Sequence, residues 1–489
     1  MGVWISNWKL ARIVSMMGGL GTVSGTALDI VYLRLLQQGD TGGHVRRAFG
    51  ELASRYDRLS GGIQRLLSQY YVQGGIAPGQ SFLGAPDGRL ARQPSKPGSP
   101  TSLWSPGPDF QILTLASNFS EVWLAKEGHA GAVGINFLRK VERPLPYALL
   151  GALLAGADYI AVGAGNPAEI PGMIRGLARM EDVSLPLKVS GANSADGEFA
   201  VSVSPSALLG PDAAPLATPK TLAIVSSFQL AQALASSPDG KPYGFVLENS
   251  SAGGHNAAPG KKSFNEQREP VILYTEQDRI DIPAIAALGL PFWLAGNYGT
   301  PQGLRQALAM GASGVQFGTP AALSLQSGLE AGLRIQVLDL LRKGELTVRT
   351  DGRTSPSGFP FKVAQLPGTL SEDGVFRARR RLCDIGYLQS AYLTPEGDVG
   401  FRCPAEDVQA YVDKGGKVQH TEGRVCLCNG LLSSAGLPSS WAGGYVEPPL
   451  VTLGEELASV SALLEALPSG QDSYSIGKAL QYISSGLCA

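Results

Sequence analysis

Along the first 350 residues, short apolar runs alternate with amphipathic stretches. This is the periodicity of βα units that build a parallel sheet. Eight runs fit barrel strands: Gly2–Ile5, Gly19–Gly25, Gly131–Leu138, Asp158–Gly165, Thr221–Ser227, Tyr243–Ser250, Pro291–Asn297 and Ser313–Thr319. The first is expected to be the remnant of a strand cut short by the chain start. Helical stretches such as Leu145–Ala155 and Gly303–Met310 lie between the runs. The second follows Thr300-Pro301, a cap residue and then proline in the first turn. Eight strands and intervening helices predict an α/β fold, a (β/α)8 barrel of the TIM type spanning 1–350.

Two insertions interrupt this plan, at about 39–108 and 185–219. The first holds a helical stretch, His44–Tyr71, followed by RQPSKPGSPTSLWSPGP. That composition buries little apolar surface, so a surface excursion is expected, serving as a flap or an oligomer contact such as a homodimer would use. The second contains PLKVS and FAVSVS, expected as a hairpin beside the barrel. From 351 to 489 the pattern becomes Arg-rich, then Cys-containing, then short-helical, and reads as a separate accessory module wrapping the barrel.

Composition narrows the partners. Hydrophobic residues make up 44% of the 489 positions, which suits a large buried core. The formal net charge of -1 invites neither nucleic acid nor an anionic membrane. No run of about 20 apolar residues exists to span a bilayer. The N-terminus has no secretory pattern, and Gly2 with Ser6 reads better as a strand end than as a myristoylation signal. A cytoplasmic location is expected, since five cysteines do not make a disulfide framework.

Barrel enzymes build their sites after the C-terminal strand ends, and Gly, Asn and His gather there. Asn136 ends the third run and GAGNP (Gly163–Pro167) the fourth; SSAGGHNAAPG follows the sixth, AGNYGTPQG the seventh and GT the eighth. Gly296 and Gly299 can let a loop close on a phosphate, and Gly318 with Thr319 can do the same one strand on, Thr319 adding a hydroxyl. Simple tight turns are the plainer alternative. His255, directly after Gly253-Gly254, should project over a ligand and move a proton near neutrality. His44, His129 and His420 suit cap or solvent roles. Cys383, Cys403, Cys426 and Cys428 lack the spacing of a metal knuckle and are expected as buried thiols, with no metal. Arg377–Arg381 is expected as a solvated basic face.

Taken in order, MGVWIS, GGLGTVSG, VGINFL, GAGNP, ENSSAGGHNAAPG and LAGNYGTPQGLRQALAMGASGVQFGT resemble the nitronate monooxygenase (2-nitropropane dioxygenase-like) family of FMN-dependent barrels. The resemblance covers most of residues 1–330 outside the insertions. It implies FMN lying across the strand ends, contacted by Met1, Gly2, Asn136, Gly163, Glu248, Gly253, Gly254, Ala295, Gly296, Asn297, Gly318 and Thr319. His255 would be the catalytic base or hydrogen-bonding group, and a cationic or donating imidazole would favour an anionic nitronate. The implied reaction oxidises an alkyl nitronate with O2 to a carbonyl compound and nitrite. Related members reduce enoyl thioesters, including carrier-protein-bound ones, or quinones with NAD(P)H. Lys261 and Lys262 could meet a nucleotide phosphate in that reading. A flavin-free barrel that only docks partners is the alternative from outside enzymology.

Overall fold

The computed structural model describes residues 2–94, 98–265, 270–455, 457–468 and 471–487. Seven parallel strands form one curled sheet in chain order: β1 (Gly21–Ser24), β2 (Val133–Leu138), β3 (Tyr159–Gly163), β4 (Lys220–Val225), β5 (Gly244–Glu248), β6 (Phe292–Ala295) and β7 (Gly314–Gln316). All neighbouring pairs are parallel. Apolar runs this continuous are what a sheet covered on both faces requires. One side chain parity, including Phe245, Leu247 and Val225, packs outward against helices. The other, including Ala161, Leu222, Val246 and Trp293, turns into the barrel. The architecture is an α/β barrel of the TIM type.

The barrel has seven strands among the described residues, not the eight expected. Residues 3–5 form a turn, because Trp4 sits in the left-handed region at φ 52°, which no strand tolerates. Immediately beyond, the side chain of Asn7 accepts from the N–H groups of Lys9 (3.0 Å) and Leu10 (3.1 Å) and starts the helix Trp8–Met16. The turn is still tied to the barrel, since Ser24 N–H donates to Ser6 O at 2.9 Å and Gly328 N–H to Ile5 O at 2.9 Å. Buried Glu121 holds it from below, accepting from Trp8 N–H (2.6 Å) and the Tyr32 hydroxyl (2.7 Å). In the sheet β1 and β7 are therefore edges that do not pair with each other. Leu10 and Val14 of the first helix, Leu453, and Ile476 of the helix Ile476–Ser484 share one core beside them.

The two insertions meet. Residues expected as a surface excursion contain strands Leu90–Gln93 and Thr101–Pro106. The second pairs in parallel with Glu198–Val203, which pairs in turn with Val183–Pro186 as an antiparallel hairpin. Trp104, only 2% exposed and stacked on Phe199, supplies the apolar anchor that the Pro/Ser composition obscured. The C-terminal residues are equally integrated. Ile385, Ala391, Val399, Leu432 and Leu437 belong to the same core as the helices around β1 and β2. Nor is Arg377–Arg381 uniformly solvated: Arg379 is 8% exposed, and Arg381 bonds the carbonyls of Pro404, Glu406 and Thr421. No helix among the described residues is long and apolar enough to cross a membrane.

Gly21 opens β1 directly beneath the first helix, and a Cβ there would lie 1.9 Å from the Ala11 carbonyl oxygen. Gly21→Ala is predicted to destabilise the fold by about 1–3 kcal/mol, the cost of overpacking, measured by chemical denaturation. An unchanged midpoint would contradict this placement of the helix.

Candidate active site at the strand ends

A cavity of about 340 Å³ occupies the barrel interior and opens at the C-terminal strand ends. That size is within the range of small-molecule sites. Thr22, Ala161, Leu222, Val246, Trp293 and Gln316 line its body. Gly253, Gly254, Gly296, Gly299, Gly318 and Thr319 form its rim, and Gly2 and Ala295 also reach it. Leu10 and Val14 close the side where β1 and β7 fail to pair. Glu248 is the one carboxylic acid among the described residues in the wall.

The rim is built from main chain. Gly296 has φ +106°, and a Cβ on it would fall 2.1 Å from Asn249 Oδ1, so no other residue fits that turn. Asn249 Oδ1 in turn accepts from Ser251 N–H at 3.1 Å, and the Ser251 hydroxyl donates to Asn297 Oδ1, linking the loops after β5 and β6. Gly253 meets the chain of the C-terminal module: its Cβ would stand 2.9 Å from Gly454 N. Gly254 N–H donates to Thr452 Oγ1 at 2.9 Å, and Lys362 N–H donates to Gly254 O at 2.9 Å. Gly299 is buried, and among the described residues no oxygen accepts a hydrogen bond from its N–H. A buried N–H without a partner costs free energy, which an anionic ligand in the cavity would recover.

Other expected contacts are placed differently. Gly318 has φ -120°, so positive φ is not what it contributes; a Cβ there would meet nothing within 4 Å. The Thr319 hydroxyl accepts from Gly454 N–H at 2.9 Å and thus also fastens the C-terminal module. Asn297 does not adopt positive φ; it is exposed, with Oδ1 bonded by the Ser251 hydroxyl. Asn136 is buried in β2, its side-chain amide directed to Ala161 O at 3.4 Å, and it stands outside the wall. Gly163 leaves room for Ile224, whose Cβ would be 2.8 Å from a methyl there. Met1 lies outside the described residues.

His255 stands beside the cavity and is not part of its wall. Its backbone pairs with Phe361, and its ring meets the Phe361 ring edge-on at 4.8 Å. Nε2 lies 2.7 Å from Ser355 Oγ and 3.3 Å from Ser357 Oγ. Burial first, and then the nearby Lys140 ammonium, hold its pKa well below the usual histidine value. The imidazole is therefore neutral at neutral pH, which leaves the hydrogen-bonding alternative of the two expected for it. A neutral ring offers one hydrogen-bond donor and one acceptor.

Sequence reasoning missed Lys140 and the serines. Lys140, two residues beyond β2, donates to Ser357 Oγ at 3.2 Å and lies 5.1 Å from the Phe359 ring centre. Burial lowers its pKa to about 7, although the Glu248 carboxylate favours its charged form. Burial likewise raises Glu248 to about 7, with Lys140 pulling the other way. Lys140 and Glu248 thus both titrate near neutrality, with the neutral His255 close to Lys140, the pattern expected of a reactive centre.

The remaining histidines play local roles: His129 bonds Ala125 O (2.7 Å) and accepts from Gly131 N–H (3.0 Å), while His44 packs on Trp8. Cys403 and Cys426 are buried together with Cys428 against them, and these three and Cys383 are free thiols. No group of three or more His, Cys, Asp or Glu among the described residues is placed to hold a metal ion. Lys261 and Lys262 are exposed.

No family model matches this chain, and no curated protein matches it either. Among solved structures, it is similar to FabK from Thermotoga maritima, at 13% identity and TM-score 0.46, covering 100% of this chain and 91% of that one. It is also similar to nitroalkane oxidase from Streptomyces ansochromogenes, at 12% identity and TM-score 0.42, covering 100% and 94%. A third is the enoyl reductase domain of MlnA from the macrolactin biosynthesis cluster of Bacillus amyloliquefaciens, at 10% identity and TM-score 0.42, covering 76% and 85%.

A carboxyl whose folded pKa is raised stabilises the fold below its ordinary range, and that contribution is lost as pH rises through about 7. Glu248→Gln is therefore predicted to gain thermal stability relative to the parent on going from pH 5 to pH 8. Calorimetric melting at both values checks it; a trend of opposite sign would contradict the buried carboxyl.

Proposed function

We propose that this chain is an FMN-binding oxidoreductase acting in the manner of the nitronate monooxygenase family, on a small substrate that carries or develops an anionic oxygen. The observation that carries this reading is the main-chain rim. A glycine turn that excludes any side chain, and Gly299, whose N–H has no hydrogen-bond partner among the described residues, line a cavity of about 340 Å³. Among the described residues that line it there is no lysine or arginine, so a phosphate there would rest on amide groups and the Thr319 hydroxyl. Such residues fit the phosphate tail of FMN, and the apolar interior formed by Leu222, Val246 and Trp293 fits a flat aromatic system. The sequence motifs at the strand ends support the same cofactor.

When bound, FMN would supply the acceptor for the substrate's electrons. The protein's own contribution is acid–base. A neutral His255 can take a proton from a carbon acid, and Ser355 and Ser357 fix the orientation of its ring. Burial excludes water and keeps the electrostatic effects strong. The second reading, a reductase drawing hydride from NAD(P)H for an enoyl thioester or quinone, is favoured by Lys261 and Lys262, exposed just past the His255 loop and free to meet a phosphate.

Two measurements separate the readings. Purified protein is expected to be yellow, and anaerobic mixing with propane-2-nitronate should bleach the flavin while NADPH should not. Rapid bleaching by NADPH alone would replace the first reading with the second, and a colourless protein that takes up no FMN would defeat both.

Two variants extend the test. His255→Ala is predicted to keep FMN while turnover falls about 10²-fold or more, the usual worth of a positioned base. Gly296→Val is predicted to lose FMN during purification, because the new side chain displaces Asn249 from the rim.

A further inference from the structure

We propose that Lys140 is the cation that receives the substrate's negative oxygen, and that the C-terminal module completes this subsite through Ser357 and Phe359. The proposal rests on the reading above of an oxidoreductase with an anionic substrate, and it names the group that would recognise that anion.

The need for such a group is set by what surrounds the cavity. The wall offers one carboxyl, Glu248, and among its described residues no basic side chain. His255 is neutral. An anionic substrate reaching from the cavity towards the neutral imidazole beside it would find no counter-charge in the wall, and the cation that interacts with both Glu248 and His255 is Lys140, itself outside the wall. An ammonium carries three donors. In Lys140, one is directed to Ser357 Oγ at 3.2 Å. Among the described residues no carboxylate oxygen lies within salt-bridge distance of its Nζ, and the charge is otherwise met by the face of Phe359, 5.1 Å away. Glu248 acts on it only at longer range. A half-buried ammonium held by one hydroxyl and one ring has donors left for a ligand.

Its partners come from far along the chain. Ser357 and Phe359 lie in the loop after strand Val348–Asp351, held by the backbone pairing of His255 with Phe361 and by Asn256 N–H donating to Pro360 O at 2.9 Å. Arg424 anchors the same loop from the module's side, donating to the carbonyls of Arg353 (2.9 Å) and Ser355 (2.5 Å). Ser357 Oγ also stands 3.3 Å from His255 Nε2, so one hydroxyl connects the anion-binding ammonium to the proton-accepting imidazole. Because burial keeps the ammonium near its titration point, an anion beside it would draw a proton onto the amine.

Inorganic nitrate is a planar, inert anion shaped like a nitronate head group and serves as the probe. Titration calorimetry of the full protein at pH 8, in two buffers of different ionisation enthalpy, should show nitrate binding with uptake of a fraction of a proton. Lys140→Met should weaken binding at least about tenfold, the share of one charge-assisted hydrogen bond. Lys140→Arg should retain binding but take up no proton, since guanidinium stays charged. Melting curves and FMN absorbance on the same samples report folding and cofactor content. Nitrate that fails to bind the parent, binds Lys140→Met equally well, or binds without proton uptake overturns the proposal. Those results leave the flavin reading standing. A parent protein that binds nitrate through Lys140 but takes up no FMN defeats that reading alone.

Discussion

The contact between two stretches of main chain governs this molecule: the Gly253–His255 turn after β5 lies directly against the C-terminal segment around Thr452–Gly454 and against Phe361–Lys362. Neither surface tolerates a side chain at Gly253, because its Cβ would reach Gly454 N at 2.9 Å. Hydrogen bonds from Gly254 N–H to Thr452, from Lys362 N–H to Gly254 O and from Gly454 N–H to Thr319 stitch the seam. Through it, the barrel gains a wall near the side where β1 and β7 do not pair, and the loop carrying Ser355, Ser357 and Phe359 is brought beside Lys140 and His255. Cavity and ionisable cluster are products of one interface.

Electrostatics follow from that enclosure. Burial disfavours charge on every group it covers, so the acid rises and the two bases fall. Glu248 and Lys140 arrive close to neutrality from opposite directions, and His255 is left uncharged. A pocket with this balance carries little net charge of its own. An anion that enters therefore shifts protons rather than meeting a preformed ion pair. Main-chain amides at the rim do not titrate and can hold a phosphate across the same pH range.

Much of the fold was legible because buried parallel strands leave continuous apolar runs that end in Gly and Asn. Seven of the eight runs became strands on that signal. Gly2–Ile5 failed because its apolar residues serve a turn whose left-handed Trp4 leaves no trace in a hydropathy pattern. The Pro/Ser-rich stretch hid two strands, since Trp104 anchors them by burial against Phe199 and not by alternation. At the site, His255 stood out through its paired glycines, whereas Lys140 did not: a lysine two residues beyond a strand is ordinarily solvated. Ser355 and Ser357 sit in TSPSGFP, a loop by every local criterion, and only long-range pairing with the His255 turn brings them to the site. Charge state was also beyond local reading, because it depends on desolvation by residues a hundred positions away.

In the proposed flavin site, amides at the barrel rim grip a phosphate. Comparing the affinity of apo-protein for FMN with that for riboflavin, which has the same ring system and no phosphate, tests it most directly. Two or more charge-assisted hydrogen bonds to the phosphate predict FMN binding at least about a hundredfold tighter. Equal affinity for the two flavins, or no affinity for either, would contradict it.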